Sequence, residues 1–428
     1  MTGLIRTLAN REVLYWLILI GLLASFCTWQ LNHLEGFSWD SDEGVTLMMA
    51  QMSRSGYSLY VDIWTDQPPL FTASIAAVLS SVGYSVAVTR AVTVLYATIG
   101  LFAVALLARE LGGRAGGLAA VVMLAITPNF SMLSRAVMPG LPAASLAMLS
   151  VSLAFVWLRT GQRRYLVVSG VMLAFSALVK PIAIVASVPV ALAIILRGLR
   201  QPSSLWRWVT KESALLAISF IVPLSLCLLA YNPQASSSQL VGTYLSSKRA
   251  YPLDIAHNGR KVWRYLFQEN LSLSLLAIYG AIMLLKNCLS GASIIVIWLV
   301  FTLIALLTHS PLWPKHHLVL LLCPSAVLAG GAIDHMGNGL RVASTRSLSQ
   351  RASLVFGLGI IALYLWSLRG IIVEDAELRA APAEPISQEA VDWVISATQP
   401  DDFIVTDYQM IAFRAKRRLP PPLCNTSE

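Results

Sequence analysis

The chain has 428 residues, of which 56% are hydrophobic and only 12% charged, with a formal net charge of +9. A mean hydropathy of +0.68, with apolar runs recurring from end to end, excludes a soluble globular fold and places the chain among polytopic membrane proteins. The basic excess falls in a pattern set by membrane topology, so nucleic acid is not an expected partner, and neither "ELGGRAGG" nor "LAGGAIDHMGNG" follows a strand as a phosphate loop would, so no nucleotide is expected either.

The first apolar run, Val13 to Thr28, lacks an A-x-A-like cleavage site and is read as a retained helix rather than a signal peptide. Further runs follow near 86–108, 115–127, 141–158, 165–179, 181–196, 213–231, 271–285, 292–307, 316–333 and 352–367. With the first, near 13–29, they predict an all-α polytopic protein of about eleven transmembrane helices. Arg6 and Arg11, Arg109 and Arg114, Arg159 with Arg163 and Arg164, the set Arg197, Arg200, Arg207 and Lys211, then Lys286, and Arg341, Arg346 and Arg351 fall on alternate connections. Basic loops stay on the cytoplasmic side, which predicts a cytoplasmic N-terminus, an external C-terminus and a multi-pass place in the cell membrane. The five cysteines, Cys27, Cys227, Cys288, Cys323 and Cys424, are too scattered for a disulfide framework or a metal spacing.

Three external segments are long or polar enough for chemistry: Gln30 to Tyr84, Asn232 to Asn270, and the tail from Arg369. The first contains "SWDSDEGV" at 38–45, three carboxylates within four residues. Ser41 is the expected N-cap of a helix whose first turn holds Asp42 and Glu43, where the helix dipole favours ionised carboxylates. Asp40 reads as a solvated loop residue. Val45, Met48, Met49 and Met52 follow helical spacing and predict an amphipathic helix along the membrane surface. "DIWTDQPPLF" at 62–71 adds two acids and a stiff diproline before a short apolar helix, Phe71 to Val82, expected at the interface.

"DEGVTLMMAQMSRSGYSLYVDIWTDQPPLF" resembles the first external loop of membrane glycosyltransferases of the GT-C class, nearest in kind to protein O-mannosyltransferases and lipid A aminoarabinose transferases. Asp42 and Glu43 match that family's acidic pair, and Pro68, Pro69 and Leu70 its closing motif. The likeness continues through "SRAVMPGLPA" (134–143), "ALVKP" (177–181) and "PLWPKHHLVLLLCPSAVLAGGA" (311–332). Two departures stand out: Gln67 replaces the lysine or histidine that several members carry before the prolines, and Met138, Pro139 and Gly140 occupy a loop that often carries an acid. The resemblance implies a GT-C fold over residues 1–368, a polyprenyl-phosphate sugar donor, and a protein, lipid or polysaccharide acceptor outside the cytoplasm.

Such a donor carries its own leaving group, so the chemistry needs a base for the acceptor hydroxyl and positive charge for the released phosphate. Asp42 is the expected base, inverting the anomeric centre, with Glu43 orienting it or binding the acceptor. Expected substrate-binding residues are Asp66 and Gln67 beside the prolines, and the external cations Arg135, Lys180, Lys315, His316 and His317. Arg260 and Arg264 share one face of a helix in an aromatic, basic loop and join that set. No cofactor is required, although Asp40, Asp42, Glu43, Asp62 and Asp66 could offer oxygen ligands to a divalent cation. A transporter of lipid-linked sugars is the alternative; it would use charges at mid-membrane and inverted repeats, whereas these acids lie outside the spans.

The tail, 369–428, reads as a helix ("SQEAVDWVISA"), a strand ("FIVTD") and a second helix ("YQMIAFRAK"), one short fragment of an α/β layer. So small a unit cannot bury a core alone, so it is expected to pack on the membrane domain, or the chain to be truncated.

Overall fold

The computed structural model describes residues 2–32, 34, 36, 40–200, 205–285, 291–341 and 385–425, with scattered positions between 355 and 373. In chain order the helices are α1 (Thr2–Leu31), α2 (Ser41–Arg54), α3 (Leu70–Val82), α4 (Val86–Ala125), α5 (Pro128–Leu133), α6 (Gly140–Thr160) and α7 (Arg163–Val179). They continue as α8 (Ser187–Leu199), α9 (Leu205–Ala230), α10 (Pro233–Ala250), α11 (Ile255–Arg264), α12 (Leu271–Leu284), α13 (Gly291–Leu307), α14 (Pro314–His317) and α15 (Leu322–Arg341). Helices occupy every expected apolar segment, and in 352–367, half of which lies outside the described residues, the described positions are helical. The basic residues Lys286, Arg346 and Arg351 and the expected domain boundary at 368 also lie outside them.

Among the described residues, six helical stretches are long and apolar enough to cross a membrane, or seven if Ile255–Glu269 and Leu271–Leu284, bent by 97°, form one span. This is fewer than the expected eleven for two reasons. The runs at 86–108 and 115–127 fall in one continuous stretch, α4, but they remain two helices, as expected: Gly112 and Gly113 leave helical geometry and the chain folds back there, so that a Cβ on Gly117 would stand 3.0 Å from the Ala105 carbonyl oxygen. Gly113 has φ 64°, open to glycine and disfavoured for other residues. In addition, α7 and α13 have 17 residues each and α12 has 14, shorter than a perpendicular span needs.

Lipid offers apolar side chains no reason to leave it, so helices associate where small residues let backbones meet. Here α4 lies against α15 through Gly116, where a Cβ would come within 2.8 Å of the Gly330 carbonyl oxygen. Gly112, 2.6 Å from the Cα of Gly331 by the same measure, continues the seam. At the outside, α1 and α9 expose Leu17, Ile20, Ile218 and Leu226, the character of lipid-facing surface.

Ion pairs gather the basic loops at one end of this bundle. Glu12 accepts from Arg109 at 2.7 Å and from Arg114, Arg159 lies 3.4 Å from Glu110, and Arg163 lies 2.8 Å from Glu212. The acid-rich first loop sits at the other end, with the C-terminus of α7 and the N-terminus of α14.

Two expectations need correction. The segment "FIVTD" is not a strand: it makes a single bridge, Phe403 to Arg418, because no neighbouring strand exists among the described residues to extend the ladder. The tail is therefore helical, with Pro385–Ala397 and Gln409–Arg414 joined by extended chain, and it packs on α2. For that reason α2 is not a helix with one wet face: every residue from Glu43 to Met52 is buried.

Candidate active site

The N-cap of α2 is Asp40, not Ser41. Its backbone is extended (φ −158°, ψ 152°) and its side chain accepts from the Asp42 N–H at 3.2 Å, meeting one of the donors a helix start leaves open. Nor is Asp40 solvated, because its side chain is 10% exposed and lies 2.7 Å from Lys315 Nζ. Capping turns the Asp42 carboxylate outward, 44% exposed, where Oδ2 meets His316 Nε2 at 2.9 Å. The His316 hydrogen bond, opposed by partial burial and helped by the charges of His316, Lys180 and Lys315, holds the Asp42 carboxyl below the usual carboxylate range. Asp42 is thus an ionised carboxylate, within reach of solvent and surrounded by cations.

Glu43 faces the other way. Its two oxygens take Arg90 Nε at 2.8 Å and Nη2 at 2.7 Å, a bidentate pair with both side chains fully buried, and Oε1 also accepts from the Val137 N–H at 3.2 Å. Arg90 Nη1 in turn donates to the carbonyl oxygens of Leu34 and Gly36. This hub ties α2, α4, the first loop and the turn before α6 together, so Glu43 is placed to anchor the helix rather than to orient Asp42 or meet an acceptor.

Two further chain segments bring basic side chains to Asp42. Lys180 stands at the break between α7 and the 3₁₀ turn Pro181–Ala186, 7% exposed. Burial pushes its pKa down to about 8, opposed by the charges of Asp66 and Asp42. Lys315 and His316 come from α14, whose approach depends on Gly140: a Cβ there would stand 2.6 Å from the His316 carbonyl oxygen. His317 is buried, accepts from the Trp313 N–H through Nδ1 at 3.1 Å, and packs edge-on against His309 at 4.5 Å. Lys261, on α11, holds the turn before α14, donating to the Leu312 carbonyl at 2.8 Å with Nζ 5.7 Å from the Trp313 ring centre.

The remaining expected residues divide. Asp66 is exposed, accepts from Gln67 Nε2 and Asn425 Nδ2, and lies close enough to Lys180 to raise its pKa. The turn that carries it is pinned by Tyr60, which donates its hydroxyl to the Gln67 carbonyl at 2.8 Å and has φ 69°. Arg135 is fully buried in the segment between α5 and α6. Arg260 and Arg264 lie on the exposed face of α11, Arg264 at 3.4 Å from Glu269, and join no cluster with Asp42. Sequence reasoning passed over Arg90, although a cation inside an apolar segment is itself a functional signal.

Ligand atoms of Asp40, Asp42 and His316 all lie within 4.8 Å of one another, a spacing that could hold a divalent cation. Lys315 and His316 already take one oxygen of each carboxylate.

Residues 66–226 match the family model described as dolichyl-phosphate-mannose-protein mannosyltransferase. Among solved structures, ArnT from Cupriavidus metallidurans bound to undecaprenyl phosphate superposes with a TM-score of 0.67 at 13% identity, over 95% of this chain and 85% of that one. The Archaeoglobus fulgidus oligosaccharyltransferase AglB, in complex with an inhibitory peptide and a dolichol-phosphate, gives 0.56 at 13% identity, over 95% of this chain and 64% of that one. Arabinosyltransferase EmbB from Mycobacterium smegmatis gives 0.53 at 15% identity, over 74% and 30%. No curated protein sequence matches the chain. The chain has the GT-C fold of ArnT and resembles the GT-C glycosyltransferases.

Proposed function

We propose that this protein is an integral membrane glycosyltransferase that moves a sugar from a polyprenyl-phosphate donor to an acceptor hydroxyl on the extracytoplasmic side. The observation that carries the reading is one ionised carboxylate, Asp42, placed among Lys180, Lys315 and His316 at the end of the bundle opposite the paired basic loops. A base and a cluster of cations are what this reaction requires.

In the proposed step the acceptor hydroxyl loses its proton to Asp42 as its oxygen attacks the anomeric carbon. The carbon–oxygen bond to the phosphate breaks on the opposite face, and its electron pair leaves with the lipid phosphate. Lys180 and Lys315 bind that phosphate as its charge develops, and their contribution is large because the site is partly withdrawn from water. Gln67 supplies no charge, so Lys180 takes the part that a lysine before the prolines plays in the family. Displacement from the opposite face inverts the anomeric configuration. Lys180 and Lys315 supply the positive charge, and no divalent cation is required.

The test is transfer from a radiolabelled polyprenyl-phosphate sugar in membranes containing the protein, with EDTA present throughout and the product anomer read by NMR. The reading expects a glycosidic product of inverted configuration. Label that crosses the bilayer without forming a glycosidic bond would point to a lipid-linked sugar transporter, and activity abolished by EDTA would assign the carboxylates to a metal.

A further inference from the structure

The C-terminal segment is fastened to the first external loop at three places around Asp42. Ahead of it, Arg414 Nη2 donates to the carbonyl oxygen of Gly36, which also accepts from Arg90 Nη1 at 2.7 Å. Within α2, Gly44 lies flat against the start of helix Gln409–Arg414. A Cβ there would overlap the Met410 backbone nitrogen and stand 3.0 Å from the Gln409 carbonyl carbon. Beyond the helix, Asn425 Nδ2 donates to Asp66 Oδ1 at 3.3 Å. The surface between these points is dry: Met410, Phe413, Leu419 and Cys424 are all buried, and the Phe413 ring packs 5.3 Å from that of Tyr84.

We propose that Gln409–Asn425 is a clamp that holds α2 and the Asp66 turn in one arrangement, with Gly44 the positioning residue through which the clamp sets the Asp42 carboxylate. The inference rests on the reading of Asp42 as the base. Gly44 meets no substrate; its missing side chain lets the α2 backbone lie directly on the tail, two residues from the base. Proton abstraction depends on placement to within about an ångström, so a shifted α2 slows the chemical step. Lys180 and Lys315, which bind the donor phosphate, stand on α7 and α14, and neither element carries any of the three fastenings. Loosening the clamp therefore lowers kcat and spares donor binding.

The experiment compares the full-length wild type with Gly44→Ala, Asn425→Asp and the double variant. It measures kcat for transfer and, separately, the affinity for undecaprenyl phosphate alone. Asn425→Asp sets a carboxylate against Asp66 at an exposed contact and leaves the buried surface intact, so it carries the test if Gly44→Ala does not fold. Both single variants are expected to keep undecaprenyl phosphate affinity within about twofold and to lose about tenfold in kcat. The double variant loses no more than the worse single one, because both release the same contact network. An active wild type beside an Asn425→Asp variant with unchanged kcat overturns the clamp. A wild type that binds undecaprenyl phosphate and transfers no sugar overturns the catalytic reading, and the clamp with it.

Discussion

Asp42 and Glu43 are adjacent, yet the fold gives them opposite environments, one open and cationic, the other sealed on Arg90. A buried pair broken on one side leaves a charge without compensation, so Glu43→Gln is expected to cost about 3–5 kcal/mol. A thermal unfolding scan should show a much lower midpoint for Glu43→Gln, and recovery in a Glu43→Leu, Arg90→Met double variant of similar volume. A single variant as stable as wild type would remove the anchoring role. Lys180 makes a prediction in pH. Its pKa of about 8 means the cation is present below that value and lost above it, so donor KM should rise about tenfold per unit once pH exceeds 8. Lys180→Arg, which stays charged, should remove that rise. A KM flat from pH 7 to 10 in the wild type would exclude Lys180 from phosphate binding.

Between elements, the site depends on how closely α6 and α14 approach. Gly140 admits the His316 backbone, so Gly140→Ala must push α14 away and draw His316 off Asp42. The expected result is a loss of about tenfold in kcat/KM, whereas Gly21→Ala, at a position with nothing within 4 Å, should leave it unchanged. Equal activity in the two variants would show that α14 has slack. The helices themselves were legible in the sequence, because apolar length in a bilayer reports them directly. The break at Gly112 and Gly113 was legible too, since the sequence ends one apolar run at 108 and begins the next at 115. "FIVTD" has the composition of a strand, but a strand requires a partner, and local sequence does not disclose one.

For the whole molecule, alternation of charge along the chain predicts which loops meet, and Glu12, Arg109, Arg114, Glu110 and Arg159 do meet. In a background with the five native cysteines replaced, Asp62→Cys should react with a membrane-impermeant thiol reagent in intact cells, and Thr160→Cys only after permeabilisation. The reverse pattern would invert the proposed orientation. The acid at 42 and the basic cluster near 315 were visible as motifs, but their meeting was not, because 274 residues separate Asp42 from His316 in the chain (316 − 42) and only the packed bundle joins them. The central claim is that this carboxylate is the base, and Asp42→Asn tests it at nearly constant shape. With donor affinity measured alongside, the account predicts that kcat falls by about 10³-fold or more while undecaprenyl phosphate binds as before. A variant that transfers sugar at the wild-type rate would contradict it.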